Sequence, residues 1–192
     1  MSLETDENII AQTSKWIKDV VVGCNFCPFA AKELKRGSIH YQVLRSADIK
    51  TCLQALALEF QRLDNNDSIE TTLLILPDNF GDFYEYLELS ELAEKFLADL
   101  GKEGVYQIAS FHPQYLFAGS TAVDPANYTN RSLYPMLHLL REDSLTTALE
   151  QFPHPENIPE NNIVFARKKG LEFMKVLRDS CYKILTIGPI FF

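Results

Sequence analysis

One thiol, two histidines and one arginine are the side chains whose types and spacing could do chemistry: Cys27, His112, His138 and Arg131. Cys27 directly precedes Pro28, and proline is favoured at the first position of a helix, so the spacing predicts a thiol at or beside a helix N-cap. Such a position can lower a thiol pKa from about 8.5 into the range of about 3.5–7.5, which exposes a nucleophilic thiolate at neutral pH. His112 and His138 are candidates for moving a proton as general acid or base. Arg131 lies in the stretch Asp124-Pro-Ala-Asn-Tyr-Thr-Asn-Arg-Ser-Leu-Tyr-Pro135. Its end joins Arg131, Ser132 and Tyr134 to a helix predicted to open at Pro135, whose free amides and dipole favour an anion. With Asp124, Asn127 and Asn130 beside them, these residues form a candidate binding set for a small carboxylate or phosphate ligand. A thiolate, a histidine and an anion cradle suit acyl transfer or hydrolysis, provided they converge within hydrogen-bond reach.

Each of these residues also has a plainer account. Asn127, Asn130 and Ser132 suit turns and caps, and Arg131 can pair with Asp124 to hold the loop. Either histidine can be a hydrogen-bonded structural residue, and Cys27 can simply pack beside Phe26 and Phe29. The spacing Cys24-x-x-Cys27 suggests a redox dithiol, but it follows a helix rather than the strand of a βαβ unit. It is also half of a zinc site, which His112, His138 or a carboxylate would have to complete; no metal is assigned, and no cofactor is indicated. His40 and His154 suggest no partner. The chain has no phosphate-binding Gly-rich loop, no His-Glu-x-x-His, no Gly-x-Ser-x-Gly and no dinucleotide fingerprint, which weakens the corresponding enzyme classes.

The elements that must position these residues follow from hydrophobic periodicity. Ile9, Ile10, Trp16, Ile17, Val20 and Val21 predict a helix over 5–22 that stops at Gly23, and a short helical segment runs from Pro28 to about Gly37. Residues 38–44 read as a strand and 46–63 as an amphipathic helix. The run 71–76 is apolar throughout, as in a strand buried on both faces. Asp82-Phe83-Tyr84-Glu85 has the form of a capping box opening a helix to Gly101, and 105–111 is a third strand. Strand, helix, strand, helix, strand predicts an α/β fold with a parallel βαβαβ sheet core flanked by helices, with extra N-terminal and C-terminal helices. In such a sheet, ligands sit beyond the carboxyl ends of the strands, where the loop 112–134 begins, and loops of that length are often functional. Pro135 to about Phe152 then reads as helix with a break near Asp143-Ser144, and 159–182 as a last helix with Gly170 inside it. Residues 183–192 are apolar and β-like, an added strand or a contact between subunits.

Composition sets the frame. At 192 residues, with 46% hydrophobic and 23% charged residues, the chain reads as one globular domain over 1–192. A formal charge of −8 opposes binding to nucleic acid or anionic membranes. There is no apolar run of membrane-spanning length, the N-terminus is acidic rather than signal-like, and four scattered cysteines do not make a disulfide framework. A reducing, cytoplasmic setting is expected.

Three motifs occur in order: Trp16, Gly23 and Cys27-Pro28-Phe29-Ala30; Ala109-Ser110-Phe111-His112-Pro113; and Thr129-Asn130-Arg131-Ser132 with Tyr134-Pro135 and His138-Leu139-Leu140-Arg141-Glu142. In these the chain resembles, from about residue 10 to about 180, the bacterial and plastid family known as domain of unknown function 1415. The resemblance implies that Cys27, His112, Asp124, Asn130, Arg131, Tyr134, His138 and Arg141 are motif positions, and it implies no established activity. Cys24 departs from the pattern, where an apolar residue is frequent, and so does Leu133, where proline is usual. The expectation is an enzyme for a small anionic metabolite, with Arg131 holding the anion, His112 or His138 moving a proton and Cys27 as nucleophile. The alternative is a non-catalytic binding or assembly protein.

Overall fold

The computed structural model describes residues 4–184 and shows a four-stranded sheet between two layers of helices. The strands are β1 (Ile39–Val43), β2 (Thr71–Ile75), β3 (Tyr106–Phe111) and β4 (Met136–Arg141), in the spatial order β1-β2-β4-β3. β1 and β2 are parallel, whereas β4 runs antiparallel to both β2 and β3. The sheet is therefore mixed, which corrects the expected parallel βαβαβ core. The first three strands do share one direction, but β4 is inserted between β2 and β3.

That insertion overturns the helix expected from Pro135. Only Glu142–Glu150 of that stretch is helical (α5), and Met136–Arg141 is a strand paired on both sides. A short run of apolar residues does not by itself distinguish helix from strand, and here two open neighbouring ladders decide for strand. Pro135 sits just before the strand, where its missing N–H costs no ladder bond, and its carbonyl accepts from Leu76 N at 2.9 Å.

The helices form where their caps allow. Asp48 accepts from Thr51 N and opens α3 (Ile49–Asn65). Asp82 accepts from Tyr84 N and Glu85 N and opens α4 (Phe83–Asp99), satisfying amides that have no partner inside the helix. α3 and α4 cover one face of the sheet, burying Leu56, Phe60, Tyr86 and Leu89 against Leu74, Leu137 and Leu139. α1 (Asp6–Trp16), α6 (Ile158–Lys169) and α7 (Leu171–Asp179) cover the other, with Ile9, Trp16, Ala166 and Met174 packed toward Leu73, Ile75 and Met136. The expected last helix is thus two, broken at Gly170, whose φ of 85° ends the first. The apolar tail lies, from residue 185 on, outside the described residues.

α1 does not end at Trp16 but widens into a π-helical segment, Ile17–Val22. Gly23 then turns the chain toward Cys27 and α2 (Ala30–Arg36) with an ordinary right-handed backbone. Its need for glycine is steric, because a Cβ there would lie 2.2 Å from the carbonyl oxygen of Asp19. Gly23→Ala is expected to destabilise the protein by about 1–3 kcal/mol through this overpacking. Gly81→Ala, where a Cβ meets nothing within 4 Å, should stay within about 0.5 kcal/mol. Urea denaturation of the two variants checks this, and equal losses would refute the steric account.

Candidate functional site

A cavity of about 770 Å³ lies between the sheet and the short helices α2 and α5, within the span of about 300–1,000 Å³ usual for small-molecule sites. Its floor follows from side-chain alternation. Leu73, His138 and Ala109 are cross-strand partners on β2, β4 and β3, and all three line the cavity, as do Ile39 and Thr71 at the amino ends of β1 and β2. Cys27 to Ala30 form one wall, and Leu145, Ala148 and Phe152 form the other. Trp16 and Phe111 meet edge to face at 5.3 Å on the inner side. Phe29 and Phe152, with centroids 5.9 Å apart, join the α2 side to the α5 side.

His138 is the polar group of the floor. Its Nε2 lies 2.6 Å from Thr71 Oγ1, and Thr71 Oγ1 lies 2.5 Å from the carbonyl oxygen of Leu139. Two oxygens at that separation require a proton between them, so the single hydroxyl proton of Thr71 goes to Leu139 and the imidazole must supply the other. Nε2 therefore donates, which leaves the lone pair on Nδ1. Nδ1 has no hydrogen-bond partner among the described residues, and His138 lines the cavity. Burial pushes the His138 pKa down to about 4, so the ring is neutral at physiological pH and acts as an acceptor.

Cys27 and His138, two of the three expected catalytic residues, line the same cavity. The environment of Cys27 works against the expected thiolate. Burial pushes the Cys27 thiol up from its ordinary value, and the backbone amides of Phe29 and Ala30, which work in the opposite direction, do not compensate. The turn after Gly23 places Cys27 three residues ahead of Ala30, the first residue of α2, so it does not cap that helix. Cys24 is buried and, like the other three cysteines, free. Among the described residues no three His, Cys, Asp or Glu side chains are placed to hold a metal.

His112 lies elsewhere. It is fully buried, its Nε2 donates to the carbonyl of Phe80 at 2.8 Å, and its Nδ1 accepts from Gln114 N at 3.0 Å. The ring packs on Phe83 and Tyr86, so both nitrogens are spent and burial lowers its pKa. This is the structural histidine of the plainer account.

The polar residues of the loop 112–134 are likewise engaged within the loop or with the elements it packs on. Arg131 donates from Nε to the carbonyl of Tyr115 at 3.0 Å and from Nη2 to that of Ala122 at 3.1 Å, with its guanidinium 4.9 Å from the ring centroid of Tyr128. Asn127 is fully buried, accepting from Phe117 N and donating to the carbonyl of Thr121. Asn130 donates to the carbonyl of Ser110, and Ser132 to that of Tyr134. Tyr134 donates to Gln12, and Asp124 pairs with Arg167 rather than Arg131. Arg141 borders the cavity, yet its guanidinium donates to the carbonyl of Leu63 at 2.7 Å, closing the end of α3. With no helix beginning at Pro135 and Arg131 occupied, the expected anion cradle is not formed.

The cavity residues not assigned to a site in the sequence are Thr71, Trp16, Phe29, Phe111 and Phe152, although Trp16, Phe29 and Phe111 stand within the motifs of the resemblance. Once 136–141 is read as a strand, alternation puts His138 opposite Leu73 and exposes Thr71 as its neighbour, so the missing signal was the pairing of β4. The aromatic residues belong to four separate segments, and nothing local to any of them marks a shared wall.

A family model described as a protein of unknown function (DUF1415) matches residues 8–176 of the chain. No curated protein and no solved structure matches it.

Two outcomes are expected. Cys27 should be alkylated slowly at neutral pH, with a labelling midpoint above that of a free thiol, because its raised pKa keeps the proton on sulfur. Site-resolved mass spectrometry across a pH series reads this, and fast labelling at pH 7 would contradict it. The second concerns acid. The unfolded histidine titrates near about 6.5 and folded His138 at about 4, so between these values the unfolded chain binds a proton that the folded chain does not. Stability is therefore fully present above about pH 6.5 and falls as the pH drops toward about 4. His138→Phe should make the loss of urea midpoint between pH 7 and pH 5 shallower, while His40 and His112, also lowered by burial, keep part of the slope.

Proposed function

We propose, for a chain that belongs to the DUF1415 family of proteins of unknown function, that it binds a small, largely apolar molecule in the cavity between the sheet, α2 and α5. The observation that carries this reading is the cavity itself: about 770 Å³ bordered by Trp16, Phe111, Phe29 and Phe152, with one neutral acceptor, His138, on its floor. Apolar walls with a few placed polar groups are what orients a small ligand. Arg131 and Arg141, two of the residues expected to bind an anion, donate to backbone carbonyls, which favours an apolar ligand over the anionic one. At the rim, Arg36 pairs with Glu33 at 3.3 Å.

A second reading keeps the enzyme, and the observation favouring it is that Cys27 and His138 line the same cavity. There, Cys27 would attack an acyl carbonyl, its proton passing to His138 and then to the leaving group. Both groups are neutral at rest, which favours the binder. A reducing, cytoplasmic setting belongs to either reading, and the four free cysteines, three of them buried, support it. Among the described residues no helix is long and apolar enough to cross a membrane.

The test uses N-phenyl-1-naphthylamine, a neutral fluorescent probe, with Trp16, the single tryptophan of the chain, as the internal reporter. Saturable binding is expected, with a change in Trp16 emission. Ala109→Phe, which fills the floor beside His138, should weaken the affinity at least about tenfold, the effect of losing about 1.4 kcal/mol. Arg131→Ala should leave it unchanged. Absence of saturable binding, or indifference to Ala109→Phe, would overturn the reading. Acylation of Cys27 by a naphthyl ester, seen in the intact mass and lost in Cys27→Ser, would favour the enzyme.

A further inference from the structure

Resting on the cavity being a ligand site, we infer that its ligand is a neutral aromatic molecule carrying one hydrogen-bond donor, a phenol-like O–H or an indole-like N–H, which is read by Nδ1 of His138.

The tautomer argument fixes the polarity of the contact. Thr71 Oγ1 gives its proton to Leu139 and receives the Nε2 proton of His138, so Nδ1 presents a lone pair and nothing else. A ligand group placed there must donate. A carboxylate or phosphate would set its own lone pairs against that of Nδ1, and a bare hydrocarbon would cover a polar atom without giving it a partner, which is unfavourable away from water. Thr71 also removes the simplest escape: turning the ring over to present an N–H would take the proton from the oxygen that needs it.

The charged residues of the lining balance one another. Arg141, though it borders the cavity, points its guanidinium to the carbonyls of Leu63, Ile69 and Asn66. Arg36 and Lys32 are paired with Glu33, which also accepts from Ser38 Oγ. Glu70 and Asp143 line the cavity too, so carboxylates offset the cations of the lining.

The aromatic character comes from the walls. Trp16 and Phe111 are edge to face at 74°, and Phe111 is tilted at 40° to His138 with centroids 6.0 Å apart. Phe29 and Phe152, at 79°, stand on the far side. Rings with such offsets present edges and faces to a planar guest, the arrangement in which aromatic pairs gain beyond their buried area.

Three probes of one shape separate the alternatives: 2-naphthol, which donates; 2-methoxynaphthalene, which does not; and 2-naphthoate, which is anionic. Competition against N-phenyl-1-naphthylamine at pH 7 should give 2-naphthol an affinity at least about tenfold above either of the others. In His138→Phe, which keeps an aromatic ring and leaves Thr71 its bond to Leu139, the advantage of 2-naphthol over 2-methoxynaphthalene should collapse. Should that variant fail to fold, the ¹⁵N resonance of His138 Nδ1 in the unaltered protein serves instead: it should be that of an unprotonated nitrogen and should shift with 2-naphthol but not with 2-methoxynaphthalene. Equal binding of all three probes, or preference for 2-naphthoate, would overturn the donor readout and leave the cavity as a ligand site. If neither they nor N-phenyl-1-naphthylamine bind, the cavity reading fails, and this inference with it.

Discussion

Between β2 and β3 there is room for one strand, and leaving it empty would strand two rows of backbone donors and acceptors inside the protein, at a cost comparable to a lost hydrogen bond for each. Met136–Arg141 fills that place, pairing with five residues of β2 from Thr71↔Leu140 to Ile75↔Met136 and with six of β3 from Tyr106↔Arg141 to Phe111↔Met136. Everything else follows from this double pairing. It puts His138 in the middle of the floor, beside Thr71, and returns the chain as α5 over the same face. It also requires a long connection from Phe111 back to Met136, and the polar residues of 112–134 are consumed in making that connection hold its shape.

The two histidines show how one chemistry serves opposite ends. Both have burial-lowered pKa values and both have one protonated nitrogen fixed by a neighbour. His112 has a backbone amide on its second nitrogen and so becomes part of the framework. His138 has no such partner among the described residues, and its second nitrogen is left to the cavity. A buried polar atom is either satisfied by the fold or left for something else to satisfy, and this difference, rather than residue type, separates the two.

Much of the framework was legible in the sequence. The stripe from Ile49 to Leu63, the apolar run of β2 and the Asp82 cap each carry a local physical signal, and α3, β2 and α4 are where those signals place them. β4 was not legible, because Met, Leu and His satisfy helix and strand alike and the deciding term is its pairing with two strands distant in sequence, β2 and β3. That one misreading carried over to the candidate site. It created a helix start at Pro135 that drew attention to Arg131, and it hid the alternation linking His138 to Leu73 and Ala109. Cys27 and His138 were singled out for their chemistry and do share a cavity, but their neutral states could not be read from spacing, since burial outweighs the nearby amides only once the tertiary structure is known. Asn127, Asn130 and Arg131 look the same on the page whether they bind a ligand or a loop.

The walls of the cavity differ from its floor in how they are anchored. Neither α2 nor α5 contains a fully buried residue, whereas β2 is buried from end to end. Segments with few buried contacts open at a small fraction of the free energy that unfolds the whole molecule. Phe29, just before α2, and Phe152, two residues after α5, meet ring to ring, so under the proposed function a ligand that entered by parting these two segments would leave the sheet and both cores undisturbed. The residence time of such a ligand would then be set by how often those segments part, and one that stacked between the two rings would lengthen its own stay.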